Sequence, residues 1–292
     1  MRHSFSTHVF LRHRLHPGHL EAMRNGGAES IELFAARPHF DYTDRSAVRD
    51  IGSWFRSNAV AATLHQPLNA DNEWSRQPGP SVNLIDVEKS HRIDAMDEVK
   101  RALEVAEQIP VESMVIHLGS KNATWSVREL EHSLTAIEHL KAFAGPLGVK
   151  LHLENLQNDV ATPPNLLEIL RVGHFNTVGV CLDVGHANLT DEGVAAAIEI
   201  LGPRIWQLHL HDNHGTKDGT AKDEHLWPLA TPETGSVDWA GIVGKLYALP
   251  ANVTGTLEIA YELEETTESA NTKAAATFAM LKQCAAKAAA EL

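Results

Sequence analysis

Apolar runs that end in a residue able to bind a metal recur along the chain. Six runs end in this way: LHQP with His65, VIHLG with His117, LHLEN with Glu154, VCLDVGH with Asp183 and His186, LHLHD with His209 and Asp212, and TLEI with Glu258. A further cluster, KDEH, brings Asp223 and His225 shortly after the fifth run. Zinc, manganese and related ions accept imidazole and carboxylate together. The pattern predicts a metal site assembled from successive segments of the chain.

The elements that must position these residues alternate between short apolar runs and helix-like segments. The predicted strands are residues 5–11, 30–36, 60–66, 113–119, 150–156, 178–184, 205–211 and 254–260. The predicted helices are residues 86–108, 126–143, 164–172, 191–201, 238–248 and 266–291. This alternation predicts an α/β fold, a single (β/α)8 TIM barrel that takes residues 1–292 as one domain. The carboxyl ends of barrel strands share one face, so the ligand-bearing ends should meet there.

A doubly wound open sheet is the alternative fold. It predicts a glycine-rich phosphate loop after an early strand, and the sequence has none. Two long irregular stretches, residues 67–85 and 212–237, each follow a ligand-bearing strand. We therefore expect them to be active-site loops rather than linkers between domains.

Composition narrows the range of partners. The chain has 292 residues, of which 43% are hydrophobic and 22% charged, and its net charge of −13 argues against broad affinity for nucleic acid or anionic membranes. The N-terminus has no long apolar stretch, and no segment approaches membrane-spanning length, so a cytoplasmic location is expected. Two cysteines are too few for a disulfide framework. The sequence leaves a homo-oligomer open.

Three carboxylates are the first candidates for metal ligands. Glu154 and Glu258 are each the only charged residue at an otherwise apolar strand end, and Asp183 follows the same logic. Burying a carboxylate without a partner is costly, so each needs a metal or a cation. The alternative is a buried ion pair, but the strand ends carry no suitable cation apart from Lys150 and Arg204, which lie at the opposite ends.

The histidines allow more than one interpretation. His209 and His211 point to the same side of one predicted strand, and only one is expected at the height of a ligand. His186 is a candidate for a second-metal ligand, a hydrogen-bond donor to substrate, or a helix cap. His65 and His117 are core histidines or ligands.

Two residues on loops complete the candidate set. Asp223 and His225 form a loop pair that is weak evidence alone. Asp212 is a candidate for orienting a ligand imidazole.

The motifs LHLEN, CLDVGH, HLHDN followed by DEH, and TLEI, in this order, resemble those of the xylose isomerase-like TIM-barrel superfamily. The resemblance covers nearly the whole chain. The superfamily contains sugar and sugar-phosphate isomerases and epimerases, inosose dehydratases, and the endonuclease IV group. In the isomerase branch, the resemblance implies one divalent ion (Mn²⁺, Mg²⁺, Co²⁺ or Zn²⁺) on Glu154, Asp183, His209 and Glu258, with His186 against the substrate.

The nuclease branch implies a larger ligand set. Its three zinc ions would take nine ligands, which map onto His65, His117, Glu154, Asp183, His186, His209, Asp223, His225 and Glu258. Three features favour the sugar branch: the GGAESIELFAARPHFDYTD segment, the LHQPLN turn and the net charge of −13. The stretch WPLATPETGSVDW departs from both branches, because it is longer than the usual turn.

Three functions follow from these patterns. The first is a metal-dependent sugar isomerase or epimerase with a carbohydrate substrate, in which Glu154 and Glu258 transfer protons through an enediolate. In this function His65, His117, His186 and His225 are expected to contact substrate. A dehydratase or lyase would use the same chemistry with a different second step. The second function is a zinc phosphodiesterase acting on abasic DNA. The third, a non-catalytic binding barrel, predicts lost ligands, and none is lost.

Overall fold

A closed barrel of eight parallel strands forms the centre of the protein. The computed structural model describes residues 1–75, 79, 81–217, 219–228, 235–260 and 266–290. Around the barrel the strand order is β1-β8-β7-β6-β5-β4-β3-β2, and every neighbouring pair is parallel. The strands are Arg2–Ser6 (β1), Ser30–Phe34 (β2), Ala61–His65 (β3), Val111–Ile116 (β4), Lys150–Glu154 (β5), Val178–Asp183 (β6), Ile205–Leu210 (β7) and Thr254–Leu257 (β8). The predicted (β/α)8 barrel is confirmed.

Helices cover the outside of the barrel. They are Pro17–Asn25 (α1), Arg45–Ser57 (α2), Lys89–Leu103 (α3), Val127–Ala144 (α4), Pro163–Val172 (α5), Val184–Asn188 (α6), Gly193–Leu201 (α7), Trp239–Tyr247 (α8) and Thr267–Ala290 (α9). None of the helices in the described part of the chain combines the length and the apolar character needed to cross a membrane.

The hydrophobic core lies between the strands and the helices. Strand β6 shows why these runs become barrel strands: all of its residues are buried, because one face meets the helices and the other the barrel interior. Val178, Val180 and Leu182 belong to the apolar core, whereas Cys181 and Asp183 alternate with them. The alternation therefore places Cys181 and Asp183 inside the barrel, with Asp183 at the carboxyl end where the metal-type ligands lie.

The first third of the chain differs most from the sequence prediction. Strand β1 is Arg2–Ser6 rather than residues 5–11, because a 3-10 turn, Thr7–Phe10, begins directly after Ser6, whose hydroxyl accepts a bond from the His8 amide. Helices α1 and α2 were not predicted. Both are rich in polar residues, and their starts are fixed by local caps, the His16 ring and the Asp44 carboxylate.

The two predicted active-site loops are described in part. The segment after β3 returns through a bridge between Asn69 and Ser81, and the segment after β7 contains a two-residue hairpin, Thr216–Lys217 with Thr220–Ala221. Residues 229–234, the middle of the WPLATPETGSVDW stretch, lie outside the described residues. The last predicted helical residue, 291, lies outside them too.

Candidate metal centre

The carboxyl ends of the strands bring metal-type ligands together in three adjoining groups. His65, Glu154 and Asp183 each end a strand, whereas His117 and Glu258 each follow one directly. Within each group, one ligand atom per residue lies within 4.8 Å of those of the other members. Among the described residues the groups are His65, His117 and Glu154; Glu154, Asp183, His209 and Glu258; and His186, His211, Asp223 and His225.

The central group has the geometry of a divalent-ion site. Its four residues are Glu154, Asp183, His209 and Glu258, and each is at most 3% exposed. His209 Nδ1 lies 3.4 Å from Glu154 Oε1, 3.7 Å from Asp183 Oδ2 and 3.3 Å from Glu258 Oε2. A tetrahedral site with bonds of about 2.1 Å separates its ligands by roughly 3.4 Å. His209 Nδ1 is buried and has no hydrogen-bond partner among the described residues, so an ion at this place would satisfy it. The four residues therefore fit a divalent metal.

The other ring nitrogen of His209, Nε2, is hydrogen-bonded to a buried carboxylate on the side away from the central group. Its Nε2 lies 3.1 Å from Glu32 Oε2, and this same oxygen accepts a bond of 2.7 Å from Gln207 Nε2. Glu32 is completely buried. A carboxylate can only accept at Nε2, so it fixes the tautomer in which Nδ1 offers its lone pair to the central group. Metal-binding histidines are commonly oriented by a carboxylate in this way.

Three more histidines are oriented by backbone carbonyls. The Nδ1 atom of His65 lies 2.8 Å from the Gln66 carbonyl, that of His186 lies 2.9 Å from the Asn155 carbonyl, and that of His225 lies 3.0 Å from the Glu258 carbonyl. A carbonyl accepts, so each neutral ring carries its proton on Nδ1 and turns an Nε2 lone pair toward the site. The shared orientation indicates imidazoles arranged for coordination or for contact with substrate.

The two outer groups are more tightly hydrogen-bonded than the central one. His117 Nε2 lies 2.9 Å from Glu154 Oε2 and 3.1 Å from His65 Nε2. On the other side, Asp223 Oδ2 lies 3.0 Å from His186 Nε2 and 2.9 Å from His225 Nε2. Glu154 is shared between the first outer group and the central group, and His211 Nε2 of the other outer group lies 3.0 Å from Asp183 Oδ2, so the three groups form one continuous site.

Two neighbours of His209 differ from the sequence-based expectation. Only one of His209 and His211 was expected at the height of a ligand, yet His211 is also completely buried, and its Nε2 lies 3.0 Å from Asp183 Oδ2. Both histidines reach Asp183 because they lie two residues apart, on the same side of β7 and its extension. Asp212 was expected to orient an imidazole. Instead its carboxylate accepts the Trp239 indole N–H at 2.7 Å and the amides of residues 213, 236 and 237, so it anchors the loop that returns to α8.

Burial and mutual attraction set the charges of the site. Burial raises the pKa of Glu154 and Glu258, but the neighbouring histidines, His209 foremost, outweigh it and hold the pKa of both carboxyls well below the ordinary value. Burial lowers the pKa of His186 and His225, but adjacent carboxylates reverse the shift, to about 9 for His225 and well above the ordinary value for His186. The protein without metal thus holds protons on His186 and His225, and binding a cation there would release them.

A cavity of about 490 Å³ opens above the three groups. The ligand side chains that face it are His65, His117, Glu154, His186, Asp223, His225 and Glu258. Its remaining wall includes His8, Phe34, Lys121 and Lys222, which the sequence did not single out. The volume lies within the range of small-molecule binding sites in proteins.

Three supporting residues escaped the sequence analysis. Glu32 was not among the candidates, although a charged residue inside the apolar run SIELF was the available signal. Asn155 pairs with Asp183 through two bonds, receiving its amide at 2.7 Å and donating to its carbonyl at 3.0 Å. Gln66 accepts the His117 amide at 3.1 Å. The last two stand directly after ligand-bearing strands, and no pattern marks their side chains as partners of the backbone.

The chain is similar to proteins of known sequence and structure. An uncharacterized protein of Methanocaldococcus jannaschii is 28% identical over 158 residues, 51% of this chain and 52% of the relative, so the chain spans about half the length of that relative. The fold is similar to a D-tagatose 3-epimerase-like protein (21% identity, TM-score 0.73, 100% and 99% of the two chains covered). It is also similar to the IolI protein with a bound zinc atom (18% identity, TM-score 0.78, 98% and 99% of the two chains covered). A third similar structure is L-ribulose 3-epimerase (15% identity, TM-score 0.75, 99% and 96% of the two chains covered). At these identities the structural likeness concerns the fold.

The family is shown by the sequence itself. Residues 20–284 match the family model described as the xylose isomerase-like TIM barrel, which takes in all the ligand-bearing strand ends. This agrees with the resemblance inferred from the motifs. The chain belongs to the xylose isomerase-like TIM-barrel family.

Proposed function

We propose that the protein is a divalent-metal-dependent isomerase or epimerase of a keto-sugar or sugar phosphate. The observation that carries the proposal is the buried central group, whose unpartnered His209 Nδ1 lies 3.3–3.7 Å from three carboxylates at the floor of a cavity of small-molecule size. The similar folds of a D-tagatose 3-epimerase-like protein and an L-ribulose 3-epimerase support a sugar as the substrate.

In this proposal Glu154, Asp183, His209 and Glu258 hold the ion. A bound divalent ion would stabilise the negative charge that develops on a carbonyl oxygen when the neighbouring carbon loses its proton. The bound zinc of the IolI protein supports a metal in this fold, although the element remains part of the proposal here.

Two carboxylates of the central group also face the cavity and are proposed to move the proton. Glu154 and Glu258 lie on β5 and directly after β8, three strands apart around the barrel, so they approach a bound sugar from different sides. Their lowered pKa values keep both ionised at neutral pH, and either can therefore accept a proton from carbon. One carboxylate removes the proton from carbon. The other, once it has taken a proton from water, delivers that proton to the opposite face, which inverts the stereocentre, or to the neighbouring carbon, which isomerises the sugar. Loss of a leaving group in the second step would give a dehydratase from the same residues.

The outer histidines are proposed to bind the substrate hydroxyls. His65, His117, His186 and His225 all line the cavity. Backbone carbonyls hold Nδ1 of His65, His186 and His225, so Nε2 is the ring atom left for a hydroxyl. It accepts when the ring is neutral and donates when the ring is protonated. One ion suffices for the charge on the carbonyl oxygen, and additional dications would compete with the hydroxyls for these nitrogens.

Phosphodiester hydrolysis is the second candidate function, and one observation favours it. The first outer group shares Glu154 with the central group, and His211 of the other outer group lies 3.0 Å from Asp183 of the central group; this is the arrangement that several zinc ions around one phosphate would need. In that function His65, His117, His186, Asp223 and His225 are all ligands instead of substrate contacts. The cavity and the acidic chain favour a small substrate over duplex DNA.

The two functions are distinguished by one set of assays. Purified protein supplied with Mn²⁺, Mg²⁺, Co²⁺ or Zn²⁺ is incubated with a panel of ketoses and ketose phosphates, and C–H exchange with D₂O is followed by NMR. We expect exchange and epimerised product from the unaltered protein, none from Glu258→Gln, and full activity from Glu199→Gln, which changes an exposed carboxylate far from the cavity. Incision of duplex DNA at an abasic site, without sugar turnover, would overturn the proposal.

A further inference from the structure

A second polar cavity lies at the opposite end of the barrel. It has a volume of about 590 Å³ and is bounded by the amino ends of the strands, where Arg2, Lys150 and Thr254 begin β1, β5 and β8. Ser113 of β4 and Trp206 of β7 complete the rim, and His152 lies on the wall. In TIM barrels this end normally serves stability, so a lined polar cavity here calls for a reason.

His152, on the wall of this cavity, has a buried hydrogen-bonding atom without a partner. The residue is 5% exposed, and its Nε2 has no hydrogen-bond partner among the described residues. Gln207 donates its amide N–H to Glu32, so the Gln207 carbonyl oxygen faces His152 and accepts from Nδ1 at 3.0 Å. The neutral ring therefore presents an acceptor at Nε2. A buried acceptor without a donor is unfavourable, and a hydroxyl in the cavity would satisfy it.

The rim of the cavity carries positive charge that is only partly balanced. Arg2 is paired with Glu112 and also donates to Thr254. Lys150 has no carboxylate within 4.0 Å in the part of the chain that the structure describes, although the chain as a whole is strongly acidic. An anionic group entering the cavity would meet this free ammonium group, and the rim is a local exception to the overall charge of −13.

Trp206 gives the cavity a flat apolar wall. Its ring lies over Gly179, where a Cβ would come within 2.5 Å of the indole, so the glycine provides the space in which the ring rests. Lys150 Nζ lies 5.9 Å and the Arg204 guanidinium 6.0 Å from the ring centre. The C–H face of a small polyol can pack against such an indole while its hydroxyls reach the polar atoms beside it.

We infer that this cavity is a binding site for a small polyhydroxylated anion, a sugar phosphate or a sugar acid. One hydroxyl donates to His152 Nε2, the anionic group pairs with Lys150, and the carbon skeleton packs on Trp206. The inference is independent of the proposed catalytic activity, because the cavity and the metal centre lie at opposite ends of the barrel.

Isothermal titration calorimetry tests the site with four probes on the metal-loaded protein: D-ribose 5-phosphate, D-gluconate, D-ribose and inorganic phosphate. We expect D-ribose 5-phosphate or D-gluconate to bind, and whichever binds more tightly identifies the anionic group. D-Ribose and inorganic phosphate should bind at least about tenfold more weakly, because each lacks half of the contacts.

Variants assign the binding to this cavity. Lys150→Met changes an exposed side chain and should fold normally, and we expect it to weaken the preferred probe about tenfold or more. His152→Leu should weaken it as well. Lys222→Met, the matched control, removes a lysine from the cavity above the metal centre and should leave the affinity unchanged. If no probe depends on Lys150, if Lys222→Met removes the binding instead, or if inorganic phosphate binds as tightly as the sugar phosphate, the inference is wrong.

Discussion

The carboxylate behind His209 offers a sharp test of how the metal centre is built. Glu32 is completely buried, and its Oε2 accepts from His209 Nε2 at 3.1 Å and from Gln207 Nε2 at 2.7 Å. Glu32→Gln keeps the size of the side chain but removes its charge. The ligand nitrogen, His209 Nδ1, becomes a weaker base when its neighbour is a neutral amide.

The size of the effect follows from the role of such partners. The second carboxylate oxygen of Glu32, Oε1, has no hydrogen-bond partner among the described residues. A glutamine that keeps both existing bonds through its oxygen would therefore place its NH₂ group in the position of Oε1, buried and without an acceptor. Removing the partner of a metal-binding histidine typically weakens metal affinity about 10–100-fold. We therefore expect the dissociation constant for Zn²⁺ or Mn²⁺ to rise by about this factor. Turnover should fall at limiting metal and recover largely when metal is in excess.

The assay is metal competition against a fluorescent chelator, with Glu98→Gln as the matched control. Glu98 is also buried, but it lies on α3 and binds Arg37, away from the metal centre. Its variant should lose stability and keep metal affinity within about twofold, since only the group behind His209 affects the ligand. Unchanged metal affinity in Glu32→Gln would refute the reasoning that Glu32 orients and strengthens His209.

Three further expectations concern catalysis, the loop after β7 and acid stability. Glu258→Gln should lower kcat by about 10²–10⁴-fold, measured by NMR on a folded variant, since an amide cannot accept the proton; kcat within tenfold of the unaltered protein would contradict this. Asp212→Asn should cost about 1–3 kcal/mol in a thermal unfolding experiment, because its carboxylate accepts the indole of Trp239 and three amides, and an unchanged Tm would contradict it. Burial lowers the pKa of His39 to about 4, so this residue contributes as much as roughly 3 kcal/mol to stability above pH 6.5, and the contribution is lost as pH falls toward 4. The free energy of urea unfolding should therefore depend less on pH in His39→Gln, and parallel curves for both proteins would refute the assignment.

Much of the barrel could be predicted because buried parallel strands have a simple signature. Runs such as VGVCLD are apolar and short, and they keep the ligand-type residue at the carboxyl end, where the fold collects them. Strand β1 and helices α1 and α2 were less predictable. Their limits depend on single capping contacts such as those of Ser6 and Asp44, which compete with equally plausible continuations of the run.

The supporting contacts of the site could not be read from the sequence. Glu32 reaches His209 across the barrel interior, from β2 to β7, and no spacing along the chain encodes that approach. The contacts of Asp212 and His211 could not be predicted from the sequence either, although the two residues are adjacent. They are consecutive, yet His211 turns to Asp183 and Asp212 turns to the loop before α8, and only the three-dimensional position of Trp239 decides between these directions.

The metal content of the purified protein tests the central claim most directly. The proteins are freed of loosely bound ions, their metals are measured by mass spectrometry, and anomalous diffraction locates each ion. We expect one tightly bound divalent ion per chain, between His209 Nδ1 and the carboxylates of Glu154, Asp183 and Glu258, and we expect it to be lost in Glu154→Gln together with sugar turnover. Three ions per chain, with His65, His186 and His225 as ligands, would contradict the account and support phosphodiester hydrolysis.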